Sequence, residues 1–279
     1  MGGGMARRLL SNGFPVTVYN RNREKSAPLA TAGAKVASSP RAAAEGAEII
    51  FSMVADDAAS RAMWLGEDGA IMGASDGAVM VECSTLTVTW VNELARAVAE
   101  RGGELVDAPV TGSKAAAAAG ELNFIVGGKA AVVEKICPAL NAMGKTMTHL
   151  GPTGSGALVK LVNNFMAGVH VAAWAEALTW LERTDIDREK AVAFLMEGAA
   201  ASPVTKVVSA RMAAEDFTPN FFLRLMAKDL SYALQEAAQK GVSLATAKSG
   251  LGRFEAAIAA GQGDEDMAAI VKSVREKKL

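Results

Sequence analysis

Histidine and cysteine are almost missing from this 279-residue chain, which holds two of each. His149 and His170 are the only histidines, which leaves a hydrolase triad little to be built from. Cys83 and Cys137 lie far apart and form no CxxC pair, which argues against a zinc site or a disulfide scaffold and fits a reducing, cytoplasmic setting. No metal ligand set is recognisable. The formal net charge of -1 leaves no electrostatic footprint for nucleic acid. The opening residues lack the pattern of a signal peptide. One long apolar run, Phe165 to Leu181, is broken by His170 and Glu176 and reads as a buried helix, so no membrane span is expected.

What is present is enough for a large core. Hydrophobic residues make up 51% of the chain and charged residues 21%, a balance that excludes disorder. Short apolar runs predict strands at Val16–Tyr19, Ile49–Met53, Ala78–Val81, Leu105–Asp107, Asn123–Val126 and Thr146–His149. Amphipathic stretches at Arg41–Glu45, Val88–Glu100 and Ala131–Met143 lie between them. That alternation predicts a mainly parallel sheet covered on both faces.

The character changes at Gly151-Pro152-Thr153-Gly154. Helical spacing then predicts a long helix over Ser155–Leu181, followed by Arg188–Glu197, Leu223–Lys240, Leu244–Ala260 and Asp266–Arg275, the last capped by Asp264 or Asp266. The expected fold is an α/β Rossmann-like dinucleotide-binding domain over 1–150, followed by an all-α domain over 151–279 with a long interdomain helix.

Gly2-Gly3-Gly4 opens a helix, and a strand follows. Backbone N–H groups at such a helix start suit a pyrophosphate, although a flexible start to a surface helix would look the same. After the next strand, an NAD site usually carries Asp or Glu for the ribose 2′-hydroxyl. Here the residues are Asn20-Arg21-Asn22-Arg23. A carboxylate would repel a 2′-phosphate, whereas Arg21 can grip one through a charge-assisted fork. The position therefore favours NADP, with NAD as the alternative and a solvated basic turn as the bland reading.

Three further stretches belong together: Asp107-Ala108-Pro109-Val110-Thr111-Gly112-Ser113; Gly156 to Asn164, containing Lys160; and Phe217-Thr218-Pro219-Asn220-Phe221 followed by Met226-Ala227-Lys228-Asp229. In this order they resemble the β-hydroxyacid dehydrogenase family, which includes 3-hydroxyisobutyrate dehydrogenase and the tartronate, glyoxylate and succinic semialdehyde reductases. The resemblance implies that Lys160 is the catalytic general acid/base, with Asn164 one helical turn later. It implies that Thr111, Gly112 and Ser113 hold the substrate carboxylate, with Phe221 as an aromatic wall. Gly2, Met53, Val54, Thr85 and Lys228 would contact the cofactor with Asn20, Arg21 and Asn22. Relatives read Leu-Pro at Val54-Ala55, so a looser turn is expected there. Relatives also begin further upstream with the family's first strand and two more glycines, and Gly2 matches only the third. Without that central strand, the flanking strands should be exposed and part of the phosphate cradle absent.

The implied activity interconverts a small 3-hydroxy or ω-hydroxy carboxylate and its semialdehyde in a homodimer or homotetramer. Ser113-Lys114 leans toward the glyoxylate and succinic semialdehyde reductases. The alternatives are a dehydrogenase-like binding or scaffold protein with impaired chemistry, and an imine-reducing relative, which Lys160 disfavours. From the residues alone Lys160 could be a snorkelling side chain, Thr111–Ser113 an ordinary turn, and Lys228 with Asp229 a surface pair.

Overall fold

The computed structural model describes residues 1–276; the last three positions of the expected second domain lie outside it. The chain divides into two compact units, one from Met1 to Lys160 and the other beginning at Leu161.

In the first unit the elements run α1 (Gly2–Ser11), β1 (Thr17–Val18), α2 (Ala27–Thr31), β2 (Lys35–Val36), α3 (Pro40–Ala44), β3 (Ile49–Ser52), α4 (Asp57–Leu65) and β4 (Val79–Glu82). They continue with α5 (Val88–Ala99), β5 (Glu104–Asp107), β6 (Val110–Thr111), α6 (Lys114–Ala119), β7 (Leu122–Gly127), α7 (Ala130–Met143) and β8 (Gly144–Gly151). Strand β4 is buried along its whole length, as a strand covered on both faces must be. Its side chains alternate. Val79 and Val81 join Val106, Phe124 and Ile136 in one core, while Met80 packs with Trp64, Trp90 and Leu94 in another.

The sheet is mixed rather than simply parallel. Strands β3, β4 and β5 run parallel, and so do β7 and β8, but β7 is antiparallel to both β5 and β6. Strand β1 pairs only with β2, in a separate two-stranded sheet, and β3 ends the path of the larger one. Three of the four β3 residues are only half-buried. The expected strand Val16–Tyr19 is a two-residue strand, Thr17–Val18.

Helix α8 (Ser155–Leu181) runs from the first unit into the second, where α9 (Arg188–Glu197), α10 (Pro203–Ala213), α11 (Leu223–Gln239), α12 (Ala245–Ala259) and α13 (Ile270–Glu276) follow. Trp174 and Leu178 of α8 pack with Met212, Met226, Leu230, Phe254 and Ile270. A Cβ on Gly168 would come within 3.0 Å of the Met226 sulfur, so the bare backbone there lets α8 and α11 pack closely. Asp266 does cap, accepting from Ala268 N, but what it caps is the short 3₁₀ turn that leads into α13.

Candidate active site

Helix α1 opens at Gly2 with no side-chain cap and no acidic residue in its first turn. A Cβ on Gly2 would lie 3.4 Å from the Met53 Cβ, so two predicted cofactor residues, Gly2 and Met53, are neighbours. A Cβ on Gly4 would meet the Ala117 backbone at 3.0 Å, so α1 can sit this close to α6 only through bare backbone.

Asn20 Oδ1 accepts from Asn22 N at 2.9 Å, and Asn22 Oδ1 accepts from Glu24 N at 3.0 Å. These amide side chains shape the turn after β1, while Arg21 stands exposed on it.

The turn carrying Val54 is fastened rather than loose. Val54 N donates to Ser84 Oγ at 2.7 Å, and Ser84 N donates to Glu82 Oε1 at 2.9 Å. The other Glu82 oxygen accepts from Ser60 Oγ at 2.6 Å and Trp64 Nε1 at 2.8 Å. Glu82 and Ser84 therefore join the turns that carry Val54 and Thr85, a link no sequence motif announced. Beside them, burial and the neighbouring Glu82 push the Cys83 thiol well above its ordinary range, which makes it a poor nucleophile.

Thr111 lies in β6 opposite Asn123, whose amide donates to the Thr111 hydroxyl at 3.4 Å. Gly112 has φ +119, a conformation that favours glycine. Ser113 caps α6 by accepting from Ala116 N. The segment thus does the work of an ordinary turn, and its exposed Gly112 and Ser113 remain open to a ligand.

Lys160 and Asn164 sit four residues apart on α8 and are 7% and 4% exposed. A snorkelling lysine keeps its head in water, so this degree of burial disfavours that reading. The start of α8 is occupied by protein. Asp107 Oδ1 accepts from Gly154 N and Oδ2 from Ala157 N, each at 2.7 Å. An internal carboxylate thus already satisfies the N–H groups at this helix end.

In the second unit, Asn164 Nδ2 donates to Asp229 Oδ2 at 2.5 Å, and Lys228 Nζ lies 3.0 Å from Asp229 Oδ1. Asp229 is buried and Lys228 mostly so, which overturns the surface-pair reading. Phe221 is half-buried, and its backbone N–H, like that of Asn220, donates to Asp266 Oδ2. The sequence reading missed the role of Asp229, and it foresaw Asp266 as a cap but not as the acceptor for Asn220 and Phe221.

An uncapped glycine start to α1, a basic turn after β1 and strand-end turns fastened to each other fit a dinucleotide. Among the described residues no group of three or more His, Cys, Asp or Glu could hold a metal, and no helix is long and apolar enough to cross a membrane.

A dinucleotide-binding α/β unit followed by an all-α unit places the chain among the nicotinamide-dependent oxidoreductases. Residues 1–151 match the NAD binding domain of 6-phosphogluconate dehydrogenase, and residues 154–274 match the NAD-binding region of NADP-dependent 3-hydroxyisobutyrate dehydrogenase. The chain is 32% identical over 280 residues to glyoxylate/succinic semialdehyde reductase 2 of Arabidopsis thaliana, covering 100% of this chain and 78% of that protein. It is 35% identical over 251 residues to the NAD-dependent L-serine dehydrogenase of Pseudomonas aeruginosa, covering 87% and 84%. A 3-hydroxyisobutyrate dehydrogenase structure from Salmonella typhimurium superposes with a TM-score of 0.88 at 28% identity, covering 97% and 95%. The chain belongs to the β-hydroxyacid dehydrogenase family, whose members are NAD(P)-dependent oxidoreductases acting on a CH–OH group.

Proposed function

We propose that this enzyme reduces a small carboxylate-bearing aldehyde, a C2 to C4 semialdehyde, with NADPH, and that Lys160 transfers the proton. The observation that carries the reading is the buried pair Lys160 and Asn164 on one face of α8, within a chain of this family. Gly2, Asn20, Arg21, Asn22, Met53, Val54, Thr85 and Lys228 would hold the dinucleotide, which supplies the hydride when bound. Lys160 donates its proton to the carbonyl oxygen, and its positive charge steadies the alkoxide as it forms. Asn164, oriented by Asp229, shares that oxygen. Thr111, Gly112 and Ser113 bind the substrate carboxylate through hydroxyl and backbone donors, and Phe221 walls the site.

Two relatives bear on the substrate. One is named for reducing glyoxylate and succinic semialdehyde, the other for oxidising L-serine. Ser113-Lys114 favours the first. The test is a panel of C2 to C4 semialdehydes with NADPH or NADH. NADPH consumption with glyoxylate or succinic semialdehyde is the expected result; activity confined to NADH and L-serine oxidation would overturn it.

A further inference from the structure

We infer that Asp107 is a positioning residue for the reaction, setting where Lys160 stands by fastening the first turn of α8 to the end of β5. The inference rests on the assignment of Lys160 as proton donor.

Asp107 ends β5 and is 1% exposed. Its two oxygens take the N–H groups of Gly154 and Ala157, each at 2.7 Å. Lys160 lies three residues beyond Ala157, so its Cα is displaced along the helix by about 4.5 Å from a backbone unit that Asp107 holds. The chain leaving Asp107 in the other direction passes Ala108 and Pro109 into Val110–Thr111 and then Gly112-Ser113. One carboxylate thus ties the strand that delivers the proposed carboxylate-binding turn to the helix that delivers the proposed proton donor.

The surroundings are shaped around that carboxylate. A Cβ on Gly127 would fall 2.5 Å from Asp107 Oδ1, and one on Gly156 would fall 2.9 Å from Oδ2 and 2.3 Å from the Ile125 carbonyl oxygen. Two bare backbones make room for it. A helix cap alone does not need a buried acid, since Ser and Asn cap about as well without the cost of desolvating a charge. What neither offers is two acceptor oxygens in one rigid plane. Asparagine would keep one bond and turn its NH₂ toward the N–H of Ala157, donor against donor.

Asp107→Asn therefore breaks one of the two fastenings at almost constant volume. Displacement of the donor should lower kcat about tenfold to a hundredfold, while KM for NADPH stays within about twofold. The solvent deuterium isotope effect on kcat should rise, because proton transfer from a displaced ammonium becomes the slower step. A purely structural role would lower the yield of folded enzyme and leave the isotope effect and the kcat of folded molecules unchanged, and that result overturns the proposal. Asp107→Glu, which keeps the charge and shifts it by one methylene, serves if the Asn variant does not fold, with the same expected outcomes. Failure of both to melt cooperatively makes Asp107 a residue of the fold alone and overturns the proposal too. Lys160→Ala run in parallel separates the premises: an active Lys160→Ala enzyme removes the proton-donor assignment, whereas an inactive one beside an unaltered Asp107→Asn enzyme removes the positioning role.

Discussion

Asn164 and Asp229 meet through a 2.5 Å hydrogen bond from an amide on α8 to a buried carboxylate on α11. Because Lys228 pairs with the other oxygen, Asp229 orients both. Asp229→Ala removes the acceptor of Asn164 and the carboxylate beside Lys228, so stability should fall by about 2–3 kcal/mol. Denaturant midpoints check this, and an unchanged midpoint would mean that the contact contributes nothing to folding.

Arg21 should carry a preference for NADPH over NADH. Arg21→Ala is expected to cost on the order of 1.5–3 kcal/mol of NADP binding and to leave NAD nearly unaffected. Dissociation constants from fluorescence titration measure both, and equal affinities in the unmutated protein contradict the assignment.

Asp107 also predicts a pH dependence of stability. Burial raises its carboxyl from the ordinary 3.8 to about 7, against the opposing pull of the backbone N–H donors. Between those values the folded chain keeps a proton that the unfolded chain has released, and above about 7 Asp107 is ionised with both oxygens as acceptors. Stability from this group is complete below the lower value and is lost as pH rises through the upper one. Between pH 5 and pH 8 the melting temperature of the parent should fall relative to that of Asp107→Asn. Parallel curves would contradict it.

Much of this was legible in the sequence because it depends on local pattern. The expected strands Ile49–Met53 and Ala78–Val81 fall on β3 and β4, and the helical spacing of Ser155–Leu181 on α8, because apolar runs and periodicity are local features. Elements that take their stability from neighbours were missed. Strand β6 has two residues and exists through its pairing with β7. Helix α10 opens at Ser202-Pro203, which reads as a turn, although its capping box between Ser202 and Thr205 was there to be found. Asp229 looked like a surface charge beside Lys228, yet it falls three residues after Met226 and four before Ala233, on the buried face of α11. Asp107 and Glu82 could not be assigned from spacing, because their partners lie at least eighteen residues away, apart from Ser84.

Assembly should cover one apolar stripe. Leu158, Val162 and Met166 recur every fourth residue along α8 and are 49%, 47% and 52% exposed in the single chain. A stripe of this kind fits burial against a second copy in a homodimer or homotetramer. Sedimentation at micromolar concentration should show the oligomer, and Val162→Glu should shift it toward monomer. A monomer throughout contradicts the claim.

The most direct measurement is the turnover of Lys160→Ala with NADPH and the best semialdehyde of the panel. Loss of a general acid should lower kcat by about 10²–10⁴ while the dissociation constant for NADPH changes little. A variant that keeps more than about half of the parent activity, against that expected loss, would show that another group moves the proton.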